Sequence, residues 1–159
     1  MPPTFPDRLA HAVHTAGSPL CVGLDPDPAR LPLPFQGQSP IAAIETFLDR
    51  LIESTAHHAA AYKPNAAFFE RWGRDGHDLL TAAIASVRRH APHALVVLDA
   101  KRGDIGNTAR FYAQAAFDGF GADAITVAPY MGADSVTPFL DWPGRCAFVL
   151  GRTSNVGAR

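Results

Sequence analysis

Lysine is nearly absent from this 159-residue chain: of its 14 basic residues, twelve are arginines and only Lys63 and Lys101 are lysines. Guanidinium stays protonated throughout the accessible range, whereas an ammonium can give up a proton, so a chain this sparing with lysine is expected to keep it where proton transfer matters. Cysteine is scarce too. Cys21 and Cys146 each open an apolar run, which predicts two small buried thiols rather than a disulfide or a metal site. No CxxC or HExxH spacing argues otherwise. No apolar stretch approaches membrane-spanning length, and residues 1–17 hold prolines, Asp7, Arg8, His11 and His14 instead of a signal-peptide core. The cytoplasm is the expected compartment. A net charge of -1 excludes the basic surface of a nucleic-acid binder, and 47% hydrophobic residues exclude a disordered tail. One domain over 1–159 is expected.

Five short apolar runs, at 20–25 (LCVGLD), 60–65 (AAYKPN), 94–99 (ALVVLD), 124–129 (AITVAP) and 146–151 (CAFVLG), are each followed by turn or polar residues. They read as buried parallel strands. Between the first two, Ile41, Ile44, Phe47, Leu48, Leu51, Ile52 and Thr55 line one face of a helix, with Ser39 and Pro40 suited to its N-cap and first turn. Leu79, Leu80, Ala83, Ile84 and Val87 repeat the pattern, closed by Arg88, Arg89 and His90 where a helix C-terminus favours cations. Residues 108–120 and 133–140 supply two more helices, and 5–16 an extra leading one. A proline-rich loop, 31–40, follows the first strand.

Strands alternating with helices predict an α/β fold with a parallel sheet and right-handed crossovers, either open and doubly wound or closed as a barrel. No GxGxxG follows the first strand and no Walker loop is present, which removes the best signature of nucleotide-binding open sheets. A (β/α)8 TIM barrel is preferred. At roughly 32 residues per unit, eight units would reach the roughly 250 residues typical of such barrels. The chain is therefore expected to carry only about the first five strand-helix units, as a fragment or truncated product with exposed strand edges.

Every residue fit for chemistry falls at the C-terminal end of a strand: Asp25 on the first, Lys63 and Asn65 on the second, Asp99 and Lys101 on the third, Ser154 and Asn155 just past the fifth. In a barrel those ends converge on one mouth. Asp99 and Lys101 are two apart on an extended segment and so are expected to point to one side, with Asp104 following a turn at Gly103. A lysine between two carboxylates is held as ammonium, which suits a proton donor and disfavours Schiff-base chemistry. Simpler readings stay open beside these. Asp25 opens a DPDP turn, Asn65 could cap the AAFFERW segment, and Thr108 could start a helix. His57 and His58 fit a solvated helix end better than a ligand pair, and Arg152 could hold phosphate or face solvent.

The segment LDAKRGDIGNT at 98–108 resembles the signature of orotidine 5'-phosphate decarboxylases, and VGLDPDP, AYKPNAAFFE, VAPYMG and FVLGRTSN resemble the longer bacterial branch of that family. The resemblance runs from Asp25 to Asn155. DxKxxD alone is shared with related sugar-phosphate decarboxylases and synthases; the KPN, DIGNT and RTSN segments make the likeness specific. It implies that Lys101 protonates the pyrimidine carbon as carbon dioxide leaves, that Asp99 sits against the departing carboxylate, and that Lys63, Asp25 and Asn65 bind substrate. It implies further that Asp104 and Thr108 reach into a partner subunit's site in a homodimer, that Ser154 contacts the pyrimidine ring, and that neither metal nor cofactor is used. The family's phosphate-gripping loop and arginine come from later strands. Two alternatives remain: a metal-dependent sugar-phosphate lyase of the same superfamily, or an inactive half-barrel.

Overall fold

The computed structural model describes residues 3–158; Met1, Pro2 and Arg159, at the ends of the expected 1–159 span, lie outside the described residues. The leading helix α1, Phe5–Ala16, is set by local chemistry at both ends. The Thr4 hydroxyl accepts from the Asp7 amide while the Asp7 carboxylate accepts from the Thr4 amide, a reciprocal cap. At the other end Gly17 takes φ 62°, where its amide reaches back to the last carbonyls.

Strand β1, Leu20–Leu24, follows, then helix α2, Pro40–Thr55, with Ser39 and Pro40 at its start as expected. After these come β2 (Ala59–Pro64), α3 (Ala66–Glu70), α4 (Arg74–His90), β3 (Leu95–Arg102), α5 (Gly106–Gln114), β4 (Ala124–Val127), α6 (Thr137–Leu140) and β5 (Cys146–Val149). The five strands are parallel and lie in the order β1-β2-β3-β4-β5. A doubly wound sheet reverses its strand order at a switch point. Sequential order with helices on the outside is instead the arc of a (β/α)8 barrel, five units of it.

The two faces of the arc have separate cores. On the outer face Tyr62, Val96, Leu98, Ile125 and Val127 pack under Ile44, Leu48 and Ile52 of α2 and Leu79, Leu80, Ile84 and Val87 of α4. On the inner face Ala60, Ala61, Leu95, Val97 and Ala124 meet Phe5, Ala12 and Ala16, so α1 seals the inside near the N-terminal ends of the strands. Asp123, just before β4 and 1% exposed, accepts from the Val96 amide and from Arg8, Arg88 and Arg145, and so ties α1, α4 and the sheet together. Arg88 is thus a tether to the sheet as well as a cation at a helix end.

Several elements depart from the expected ones. Residues 108–120 are not one helix: α5 starts at Gly106 and gives way to a single π-type turn over Ala115–Gly119. The 133–140 helix is a 3-10 turn, Ala133–Ser135, followed by the four residues of α6. The expectation of two buried thiols fails, since Cys21 is exposed and Cys146 only half-buried. Both lie on strands at the two ends of the arc, β1 and β5, which are covered on one side only.

Candidate active site

The inner face turns polar toward the C-terminal ends of the strands. Lys63 is paired in register with Gly23 of β1, and Asn65 forms a bridge with Asp99 across β2 and β3. Asp99, only 7% exposed, stands between both lysines of the chain. Its Oδ2 accepts from Lys63 Nζ at 3.1 Å and its Oδ1 from Lys101 Nζ at 2.7 Å, while the Thr126 hydroxyl donates to the same Oδ1 at 2.8 Å. Burial pushes the Asp99 carboxyl up, but the hydrogen bonds from Lys101, Thr126 and Lys63 and the Lys63 charge outweigh it and leave the group below the ordinary carboxylate value.

The expected arrangement is therefore inverted within one chain. Instead of a lysine between two acids, an acid sits between two ammonium groups. The Asp104 carboxylate turns away to accept from the Ile105 amide at 2.8 Å, and among the described residues its chain offers it no ion pair. Asp104 is half-buried and Thr108 exposed in the first turn of α5, so the structure does not bring either to Lys101.

Lys101 reaches Asp99 by a route that strand alternation did not foresee. Its φ is 48°, the only non-glycine residue in the left-handed region among those described. Such a conformation costs about 1–2 kcal/mol in an ordinary residue. The β3–β4 pairing runs from Leu98↔Ile125 to Arg102↔Val127, so three residues of β3 face Thr126 alone. The ladder bulges, and the bulge swings Lys101 back over Asp99. Gly103 lets the chain leave by a close path, since a Cβ there would lie 2.9 Å from the Ala128 carbonyl oxygen. Arg102 is fastened beside it by an ion pair with Glu70 and by its guanidinium over the Tyr112 ring at 5.1 Å.

The remaining candidates are arranged around this centre. Asp25 is exposed at the end of β1 and folds back over Gly23, where an added Cβ would come 3.1 Å from its Oδ2. With Asn65 it lines a cavity of about 490 Å³ that also holds Arg30, Phe47 and Phe68. Asn65 does cap the segment after it, its Oδ1 accepting from the Ala67 amide of α3 at 3.3 Å. Ser154, Asn155 and Arg152 are exposed past β5. A larger cavity of about 630 Å³ lies outside the arc between α2 and α4, remote from all of these.

Thr126 was missed in the sequence. The signal was present, since a threonine inside the apolar run AITVAP is a polar group that needs a partner once buried. No group of three or more potential metal ligands occurs among the described residues, and no described helix is long and apolar enough to cross a membrane.

Comparison with known proteins finds relatives along nearly the whole chain. The chain is 47% identical over 154 residues to an orotidine 5'-phosphate decarboxylase of Albidiferax ferrireducens, covering 97% of this chain and 52% of that protein. It is 49% identical over 153 residues to one from Herpetosiphon aurantiacus, covering 96% and 55%. The solved structure of Leishmania donovani OMP decarboxylase matches with a TM-score of 0.82 at 44% identity, over 98% of this chain and 56% of that one. Leishmania donovani UMP synthase matches with the same score at 46% identity, over 98% and 31%. The chain spans about half the length of the curated relatives it matches. Residues 18–159 match the family model described as Orotidine 5'-phosphate decarboxylase / HUMPS family, and the chain belongs to that family.

Proposed function

We propose that the protein decarboxylates orotidine 5'-phosphate to uridine 5'-monophosphate, as a step of pyrimidine biosynthesis, with Lys101 as the proton donor. Loss of carbon dioxide from a ring carbon with no adjacent electron sink leaves a localised carbanion, and fixed positive charge at that carbon is the main help a protein can give. The observation that carries the reading is the Asp99 carboxylate bridging Lys63 and Lys101 at 3.1 and 2.7 Å on the inner face of the strand ends. Lys101, 48% exposed on its side chain, is open to a substrate while ion-paired.

In this scheme the substrate carboxylate displaces Lys101 from Asp99 and is crowded against that acid. As the carbon-carbon bond breaks, the electron pair stays on the ring carbon and Lys101 Nζ delivers its proton there. Lys63, Asp25 and Asn65 hold the ribose side and Ser154 the pyrimidine, with no cofactor called for. Asp104 and Thr108, unused by their own centre, serve a second copy's site in a homodimer. Exposed Ile105 and Phe111 flank them and support burial against such a copy. The working compartment is the cytoplasm.

The test is the loss of orotidine 5'-phosphate absorbance with this chain and with Lys101→Ala. Turnover that vanishes in the variant is expected; turnover that survives it refutes the assignment. Mixing Lys101→Ala with Asp104→Ala chains should restore part of the activity if sites are shared, and no recovery in any mixture rejects the shared site. Turnover abolished by a chelator would move the reading to a metal-dependent sugar-phosphate reaction.

A further inference from the structure

We propose that Thr126 is the positioning residue of this site, its hydroxyl holding Lys101 in the left-handed conformation that aims the ammonium at Asp99. What the lysine then does rests on the decarboxylation reading; where it is held does not.

Where the β3–β4 ladder skips, three β3 residues stand opposite one β4 residue, and the backbone has no carbonyl to offer the Lys101 amide. The Thr126 hydroxyl replaces it, accepting from Lys101 N at 2.9 Å, and donates its own hydrogen bond to Asp99 Oδ1 at 2.8 Å. One buried hydroxyl therefore fixes the backbone of the lysine and the carboxylate that receives the lysine's ammonium, closing a ring through Lys101 N, Thr126 Oγ1, Asp99 Oδ1 and Lys101 Nζ. The ladder resumes at once, with the Ala128 amide donating to the Arg102 carbonyl at 2.7 Å. Without the hydroxyl the amide is left unpaired and nothing opposes relaxation of Lys101 to a negative φ. In that geometry both side chains still lie on one side of the strand, but the backbone no longer fixes the ammonium on Asp99 Oδ1.

Thr126→Val keeps the shape and the β-branching, whereas Thr126→Ser keeps the hydroxyl. Amide hydrogen exchange in this chain should speed up roughly tenfold or more at Lys101 in Thr126→Val while the buried Val97 amide is unchanged, and should return toward the native rate in Thr126→Ser. The Asp99 carboxyl, followed by carbon NMR, should titrate at higher pH in the valine variant, because two of the bonds that lower it are lost together. If Thr126→Val does not fold, Thr126→Ala is read the same way. Equal exchange at Lys101 in all variants, or an Asp99 titration that does not move, overturns the proposal. Where the chain turns over orotidine 5'-phosphate, kcat should fall in Thr126→Val with KM nearly constant, and serine should rescue it. A clamp seen by exchange and titration without any turnover would sink the decarboxylation reading and leave the clamp standing.

Discussion

Replacing Asp123 by asparagine should destabilise the fold far more than any change at the strand mouths. The carboxylate is 1% exposed and carries donors on both oxygens: Arg145 at 2.9 Å and Arg8 on Oδ1, Arg88 and the Val96 amide at 2.8 Å each on Oδ2. Asparagine has the same shape but offers one acceptor and one NH2 group. Whichever way the amide is turned, its NH2 faces two donors, so two hydrogen bonds are lost and the arginines lose their counter-charge. Breaking a buried charge pair on one side costs about 3–5 kcal/mol. The arginine side chains are 28%, 37% and 28% exposed and can recover some water, which puts the expected cost at the low end, about 3 kcal/mol. With a urea slope of about 2 kcal/mol per M, the unfolding midpoint should fall by roughly 1.5 M. A shift below roughly 0.25 M would refute the account of Asp123 as the tie between α1, α4 and the sheet. The same group sets an acid limb. Burial pushes the Asp123 carboxyl up, but the Val96 amide, the Arg8 hydrogen bond and the Arg88 charge hold it below the ordinary 3.8. Because the folded value is the lower one, its stabilisation is present above 3.8 and lost as pH falls from 3.8 through the folded value. The asparagine variant should lose that limb.

Asp99 should behave likewise in sign: its lowered carboxyl contributes stability above the ordinary value that disappears on acidification below it, and Asp99→Asn should flatten that part of the pH-stability curve. An unchanged acid limb would mean the two lysines do not hold it in solution. Gly76→Ala should cost more than about 3 kcal/mol in thermal unfolding, since its Cβ would lie 1.8 Å from the Phe69 carbonyl oxygen where α3 turns into α4; a loss below about 1 kcal/mol would show that this turn yields. Tyr62→Phe should cost about 1–2 kcal/mol, because the fully buried hydroxyl bonds Thr55 Oγ1 at 2.8 Å and the Ile52 carbonyl at 3.1 Å. A double-mutant cycle with Thr55→Val should recover part of it, and strict additivity would count against the contact.

What could be read without coordinates was whatever depends on period and local chemistry. Apolar runs and helical spacing placed all five strands and both long crossover helices, because burying a sheet between helices demands those patterns along the chain itself. Asp25, Lys63, Asn65, Asp99 and Lys101 could be assigned to strand ends for the same reason, and Asn65 could be read as a cap from its neighbours alone. The exposure of Cys21 could not be read, because it depends on what covers β1 from the side and not on the run that β1 belongs to.

The composition of the centre was a tertiary decision. Sequence placed two lysines and an aspartate at the mouth and set Asp99 beside Lys101, yet spacing along β3 alone added Asp104 as a second acid there and predicted an extended lysine. The structure bends Lys101 to φ 48° and sets Asp99 between both ammonium groups, because the register of β4 leaves Thr126 opposite three residues of β3. Register between strands is set by packing across the sheet, 25 residues away in the chain, and no local rule carries that information. Asp123 is the same case: a polar residue before a strand by sequence, and by structure the one buried charge on which three distant arginines converge.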